Sequence, residues 1–279
     1  MSPPENSGAG NAVDGPAVIP GVPPARPPDD ASIAALAELL RQSERIVAFT
    51  GAGISTESGV PDFRTPGSPW MQHRPIDFAD FLASAEARAE AWRRKFVMDD
   101  IYAGAQPSRG HLALKALADR GKLKALITQN IDGLHAASGI PAHQIMELHG
   151  NGTYAHCLSC SEPYALATVR HSFEMTGEAP MCACGGFIKS ATVSFGQAVP
   201  PLVLKRALSE SKDCDLFVVI GSSLVVRPAS ALPQVAHESG ATLAILNREP
   251  TPLDKLARLN LRADIGALLE PAVRLAFSG

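Results

Sequence analysis

Five short apolar runs, at 46–50, 125–129, 145–148, 216–221 and 242–247, constrain this chain more than any other feature. They are rich in valine, isoleucine and leucine, too short for ordinary helices, and mostly bounded by glycine, asparagine or aspartate, as buried strands are. Helical patterns at 83–102, 111–120, 202–211, 229–239 and 268–277 carry apolar residues three and four positions apart. Strands alternating with helices predict an α/β fold with a doubly wound, Rossmann-like parallel sheet that binds ligands at the carboxyl ends of its strands. With 279 residues, 46% of them apolar, the chain can fill one large core and carry a small insert.

The alternation fails between 152 and 190, and four of the five cysteines fall in that gap. Cys157-x-x-Cys160 and Cys182-x-Cys184, the second pair followed by Gly185 and Gly186, supply four thiolates suited to a tetrahedral zinc site. Such a closed donor set leaves no position for water, so the expected zinc holds the insert together and takes no part in catalysis. The expected division is 31–151 with 191–279 as the nucleotide-binding domain and 152–190 as the small zinc-binding domain. Cys214, before the 216–221 run, reads as a buried core thiol. The first thirty residues hold eight prolines and read as a disordered tail; Asp29 and Asp30 then open the first helical pattern.

Charge excludes some functions. Twenty-five basic residues against 28 acidic ones leave a net charge near −3, with no broad field for a phosphate backbone or an anionic lipid surface. No apolar stretch reaches the roughly 18 residues needed to span a bilayer, and the N-terminus lacks a signal-peptide pattern. The expectation is a cytoplasmic protein without nucleic-acid or membrane partners.

Candidate chemistry sits at strand ends. After the first run, Gly51-Ala52-Gly53-Ile54-Ser55 would let backbone amides approach a phosphate. The helix there is cut short, because Gly59-Val60-Pro61 removes a donor and disfavours helix at Val60. The loop that follows displays Asp62, Phe63 and Arg64, then runs from Thr65 to Trp70; a tight turn with a plain surface loop is the competing reading. Gln129, Asn130, Ile131 and Asp132 end the second run, where they can bond ribose hydroxyls or a carboxamide, or cap the next helix. His149 ends the third, beside Gly150 and Asn151, and its ordinary pKa near 6.5 suits a general base; a structural histidine is the alternative. Gly221, Ser222 and Ser223 close the fourth run, and Asn247, Arg248 and Glu249 the fifth, in positions that fit an adenosine half-site or simple turns.

Taken in order from about 34 to 274, these segments together with Phe195-Gly196 resemble the sirtuin family of NAD-dependent protein lysine deacylases, in bacterial form. The resemblance implies NAD as co-substrate, structural zinc, and acylated protein lysines as substrate, with nicotinamide, O-acetyl-ADP-ribose and free lysine as products. It implies catalytic roles for His149, the general base, and Asn130. It places Ala52 and Gly53 at the pyrophosphate with Arg64 compensating charge, Phe63 over the nicotinamide, and Gln129, Asn130 and Asp132 on the ribose and carboxamide. Ser222, Ser223 and Asn247 would hold adenosine, and the wider cofactor-binding set takes in Gly51, Ser55, Asp62, Trp70, Ile131, Gly221, Arg248, Glu249 and Ile265. Val193, Phe195 and Gly196 would pair with the peptide as an added strand. Three departures stand out: the C-x-C spacing of the second pair, Gln197 where many members have glutamate, and no tyrosine and arginine three apart after the Arg64 loop. The last favours short or apolar acyl groups over succinyl. A long-chain deacylase or a protein ADP-ribosyltransferase using the same NAD site is the alternative.

Overall fold

Asp29 caps the first helix by accepting from the Ser32 amide, and α1 (Asp30–Gln42) buries Leu36, Leu39 and Leu40 along one stripe. This computed structural model describes residues 27–278; the tail expected over 1–30 lies outside the described residues up to position 26. The chain continues through β1 (Ile46–Thr50), then α2 (Pro69–Gln72), α3 (Phe78–Ala83), α4 (Ala85–Ile101) and α5 (Arg109–Asp119). Next come β2 (Leu123–Thr128), α6 (Leu134–Ala137) and β3 (Ile145–Glu147). An inserted segment follows: β4 (Gly150–Cys157), β5 (Pro163–Ala165), α7 (Leu166–Thr176) and β6 (Ile188–Thr192). The return runs through α8 (Pro201–Lys212), β7 (Leu216–Ile220), α9 (Leu232–Glu238), β8 (Thr242–Leu246), β9 (Leu259–Leu261) and α10 (Ile265–Ala276).

The main sheet has the order β3-β2-β1-β7-β8-β9, and every neighbouring pair is parallel. Side chains alternate between its two faces. Ile46, Ala48, Leu216, Val218 and Ile220 share a core with α1, α5 and α10, whereas Val47, Phe49, Phe217 and Val219 share one with α8 and α9. Burial on both faces explains why β1 and β7 read as unbroken apolar runs. The chain leaves β1 toward β2 on one side and returns to β7 on the other, so the strand order reverses between β1 and β7. A crevice for ligands opens at the carboxyl ends of strands at such a reversal.

The inserted segment forms a second, antiparallel sheet of order β5-β4-β6. Its core is completed from outside the 152–190 segment. Trp92 and Phe96 of α4 pack with Ala155, Cys157, Val169, Phe173, Cys182 and Ile188. The Trp92 and Phe96 rings lie 5.4 Å apart and Phe96 and Phe173 5.8 Å, and Arg170 holds Asp100 at 2.6 and 2.9 Å. Among the described residues, no helix is long and apolar enough to cross a membrane.

Candidate active site

The glycines after β1 face the turn after β7. The Gly51 amide donates to Ile220 O at 2.9 Å and the Gly53 amide to Gly221 O at 3.0 Å. A Cβ on Gly53 would lie 2.7 Å from Gly221 Cα, and one on Gly51 2.7 Å from Gly221 O, while Gly221 itself has φ +63°. Glycine is therefore required where two backbones touch. This corrects the sequence reading, because the Gly53 amide is engaged within the protein and is not left for a phosphate. Two short 3₁₀ turns follow, ending at Gly59 in the left-handed conformation, so no long helix continues from the loop.

Ser55 is fully buried and joins two segments. Its hydroxyl donates to Asp132 Oδ2 at 2.7 Å and accepts from Asn130 Nδ2 at 3.1 Å. Asp132 Oδ1 accepts from the Leu134 amide at 2.9 Å, so the carboxylate both turns the chain into α6 and meets Ser55. Burial raises the Asp132 pKa above its ordinary value, against the opposing pull of these hydrogen bonds. Ile131 O accepts from the Gly152 amide at 2.7 Å, docking the loop onto β4. Gln129 Oε1 accepts from Ser222 Oγ at 2.7 Å, tying the ends of β2 and β7 together.

His149 is half-buried, and its Nδ1 lies 3.1 Å from Gln129 O. A carbonyl can only accept, so Nδ1 carries the proton and Nε2 keeps its lone pair. Burial lowers the His149 pKa, partly opposed by that bond, which favours the neutral base. His149 O accepts from the Val193 amide at 2.7 Å. Beyond β6, Val193 to Gly196 forms a turn: Gln197 donates its amide to Ser194 O, and its side-chain Oε1 accepts from the Ser194 amide. A glutamate oxygen at position 197 would accept from the Ser194 amide equally well. Just before, buried Lys189 donates to Thr192 O at 2.6 Å and Ser190 O at 3.3 Å.

The remaining predicted positions divide. Asp62 spends its carboxylate on the Arg64 and Thr65 amides and the Thr65 hydroxyl, shaping the loop. Phe63 is exposed and stacks at 4.4 Å on buried Trp70, whose indole donates to Pro61 O; Arg64 is exposed. Ser223 is half-buried beside Leu224, a non-glycine residue at φ +56°. Asn247 binds Glu249 O at 2.8 Å, and Arg248 and Glu249 are exposed beyond β8. Ile265, at the start of α10, packs its side chain into the α1, α5 and α10 core.

The cysteine sulfurs all lie within 4.8 Å of one another, with Cys157 and Cys184 at 3.5 Å and Cys160 and Cys182 at 3.6 Å. Tetrahedral zinc with bonds of about 2.3 Å needs sulfurs about 3.8 Å apart, so the donor set fits the ion. The C-x-C knuckle closes through a turn in which the Gly185 amide donates to Cys182 O at 2.8 Å. Gly186 is forced, since a Cβ there would lie 2.5 Å from Cys157 Sγ. Cys182 Sγ also accepts from the Tyr164 hydroxyl at 3.1 Å. Cys214 is buried, as expected.

The family model described as Sir2 family matches residues 51–228, from the first glycine of the β1 turn to beyond β7. The chain belongs to the Sir2 family. An NAD-dependent protein deacetylase of Rhodopseudomonas palustris is 52% identical over 239 residues, covering 85% of this chain and 94% of that protein. Among solved structures, a Sir2 variant with deacetylated p53 peptide and 3′-O-acetyl ADP ribose aligns with a TM-score of 0.79 at 33% identity, covering 86% of this chain and 96% of that one. A Sir2 complex with p53 peptide and NAD+ aligns with a TM-score of 0.76 at 34% identity, covering 85% and 95%. The family's NAD chemistry fits the crevice on the geometry above, where polar side chains from β1, β2 and β7 converge.

Two histidines of this Sir2 site carry no role in the sequence reading. His135, on α6, and His111, in the first turn of α5, are both buried, with ring centroids 4.6 Å apart. The signals available were His135 three positions after Asp132 and the Ser108-x-x-His111 capping spacing, realised as a capping box.

Proposed function

We propose that this Sir2-family protein is an NAD-dependent protein lysine deacetylase that releases nicotinamide and O-acetyl-ADP-ribose, with His149 as general base. The observation that carries the reading is the His149 tautomer: Nδ1 is committed to Gln129 O, the carbonyl just before Asn130, which leaves Nε2 as a proton acceptor on a ring tied to the loop that bears Asn130 and Asp132.

When bound, NAD supplies a glycosidic bond whose cleavage exposes an electrophilic carbon to the acyl oxygen. Asn130 and Asp132 orient the carboxamide and ribose side, their own positions fixed by Ser55. His149 Nε2 draws a proton from a ribose hydroxyl, making that oxygen a nucleophile. Ser222 and Gln129 hold the crevice wall between β2 and β7. Zinc on Cys157, Cys160, Cys182 and Cys184 supports the smaller sheet and stands apart from the reaction. Acylated lysine side chains of proteins are the partners, with an acetyl or another uncharged acyl group preferred over succinyl.

The test is mass spectrometry of protein, NAD and acetyl, succinyl and long-chain acyl lysine peptides, following peptide and nucleotide together. Free lysine peptide with equimolar nicotinamide and O-acetyl-ADP-ribose is expected. ADP-ribose added to protein with intact peptides moves the assignment to a transferase. His149→Ala should abolish turnover while NAD binding persists; unchanged turnover removes His149 from the mechanism.

A further inference from the structure

Lys189 is buried, and among the described residues no carboxylate pairs with it; its Nζ donates instead to two main-chain carbonyls of its own strand, Thr192 O at 2.6 Å and Ser190 O at 3.3 Å. Burial pushes its pKa down to about 8, and taking an ammonium out of water without a counter-ion works against folding. A charge kept on those terms answers a local need, and the pairing of β4 with β6 shows what it is. Gly150 lies opposite Thr192 and Ala155 opposite Ser190, so five steps along β4 match two along β6 and Asn151 to Tyr154 bow out of the ladder. The bowed stretch leans on the Asn130 loop, where the Gly152 amide donates to Ile131 O at 2.7 Å. Lys189 bonds the two β6 carbonyls that flank this break.

We propose that Lys189 is a positioning residue for the acyl-peptide substrate: its ammonium fixes the end of β6, so that the 193–196 segment is held ready to pair with the peptide as an added strand. Three ties from three elements hold this stretch. Lys189 holds Thr192 O from within β6, His149 O takes the Val193 amide at 2.7 Å, and Phe195 O takes the Phe78 amide of α3 at 2.9 Å. Between the last two, Ser194 is closed into its turn by Gln197. Thr192 and Val193 are adjacent, so the Lys189 tie and the His149 tie act on neighbouring residues, and loosening the first frees the second. The proposed general base and the peptide-pairing segment therefore share one support. An ammonium suits the task because it is a compact donor whose three protons can serve two carbonyls at once. Lys189 is assigned no contact with substrate or NAD and acts through the main chain alone.

The inference rests on the deacetylase reading, since it needs an acyl peptide. Its first test is calorimetric binding of an acetyl-lysine peptide and, separately, of NAD to the zinc-loaded protein. Lys189→Met keeps the apolar stem and removes the donors; it should lose about tenfold in peptide affinity, with NAD affinity changed less than about twofold and zinc content unchanged. Lys189→Arg should recover part of the loss, because it returns a charged donor at similar reach. Equal peptide affinity in the Met variant and the unaltered protein, equal losses for peptide and NAD, or no recovery with Arg overturns the role. The second test does not depend on the Met variant folding. In nitrogen-15 lysine spectra of the unaltered protein at about pH 6.5, the Lys189 ammonium signal, assigned by its absence from Lys189→Arg, should move on adding the peptide and move less on adding NAD; a signal unmoved by the peptide overturns the role as well. If the unaltered protein binds no acetyl-lysine peptide, the deacetylase reading falls together with this one, whereas equal peptide binding by unaltered and Met protein sinks this inference alone.

Discussion

Ser55→Ala deletes one buried hydroxyl and breaks two contacts at once. Asn130 Nδ2 loses its acceptor at 3.1 Å, and Asp132 keeps only the Leu134 amide at 2.9 Å of the two donors described. An unpaired buried donor costs about 1–3 kcal/mol, and a lost bond to a charged acceptor about 1.5–3 kcal/mol. Asp132 is half-buried and can recover part of this from solvent in the crevice, so roughly 3 kcal/mol is the expected net loss. At about 2–4 °C per kcal/mol for a chain of this size, the melting temperature falls by about 6–12 °C. The assay is calorimetric unfolding of zinc-loaded protein, with a double-mutant cycle against Asp132→Asn. Burial already raises the Asp132 pKa, and losing the Ser55 donor raises it further. The acid limb of the rate profile therefore moves to higher pH, because the ionised carboxylate disappears sooner on acidification. An unchanged melting temperature, or additivity of the two substitutions within about 0.5 kcal/mol, would refute the coupling.

Acid should unfold this protein through its histidines. Burial pushes His111 down to about 4 from an ordinary 6.5, so between those values the unfolded chain binds a proton that the fold refuses. Stability falls by about 3 kcal/mol as pH drops through that window, with His135 shifted in the same direction; a urea midpoint that is level from pH 7 to pH 4.5 contradicts this. Stripping zinc with a chelator should loosen the smaller sheet and expose Trp92, read as a red shift in fluorescence that reverses on adding zinc; an unchanged spectrum in metal-free protein counts against it. Gly53→Ala should cost about 1–3 kcal/mol and weaken NAD binding, because its Cβ meets backbone at Gly221; titration of NAD against the purified variant checks it. Lys189→Met should raise KM for the acyl peptide with KM for NAD unchanged, and Lys189→Arg should partly restore it; equal effects on both substrates would show a general loss of structure.

The sequence reveals most where physics is local. β1 is legible to the residue because its five consecutive positions, four apolar and then Thr50, are buried on both faces, and the broken first helix follows from Gly59 and Pro61. β9 escapes notice because it has three residues with a polar centre, Asn260. The antiparallel sheet escapes because β4 opens Gly-Asn-Gly-Thr, a poor strand sequence, and its pairing with β5 and β6 is not written in its own residues. α10 begins three residues before its apolar pattern becomes clear, since Gly266 weakens the helical signal. Gly51 and Gly53 carry a true signal with an unexpected cause, namely the approach of Gly221 from 168 residues away in sequence in the case of Gly53. The His111 and His135 pair is a contact through space, which residue spacing along the chain cannot encode.

The packing of α4 against the cysteine-bearing sheet sets an order of events on the ribosome. Phe96 is synthesised 92 residues before Ile188, the last member of the core they share. At about 5–20 residues per second, Trp92 and Phe96 wait roughly 5 to 20 seconds without their partners. Until the second cysteine pair emerges and a zinc ion is captured, the nascent chain presents an uncovered aromatic face, so scarcity of the metal during translation threatens yield well before it could affect a finished molecule.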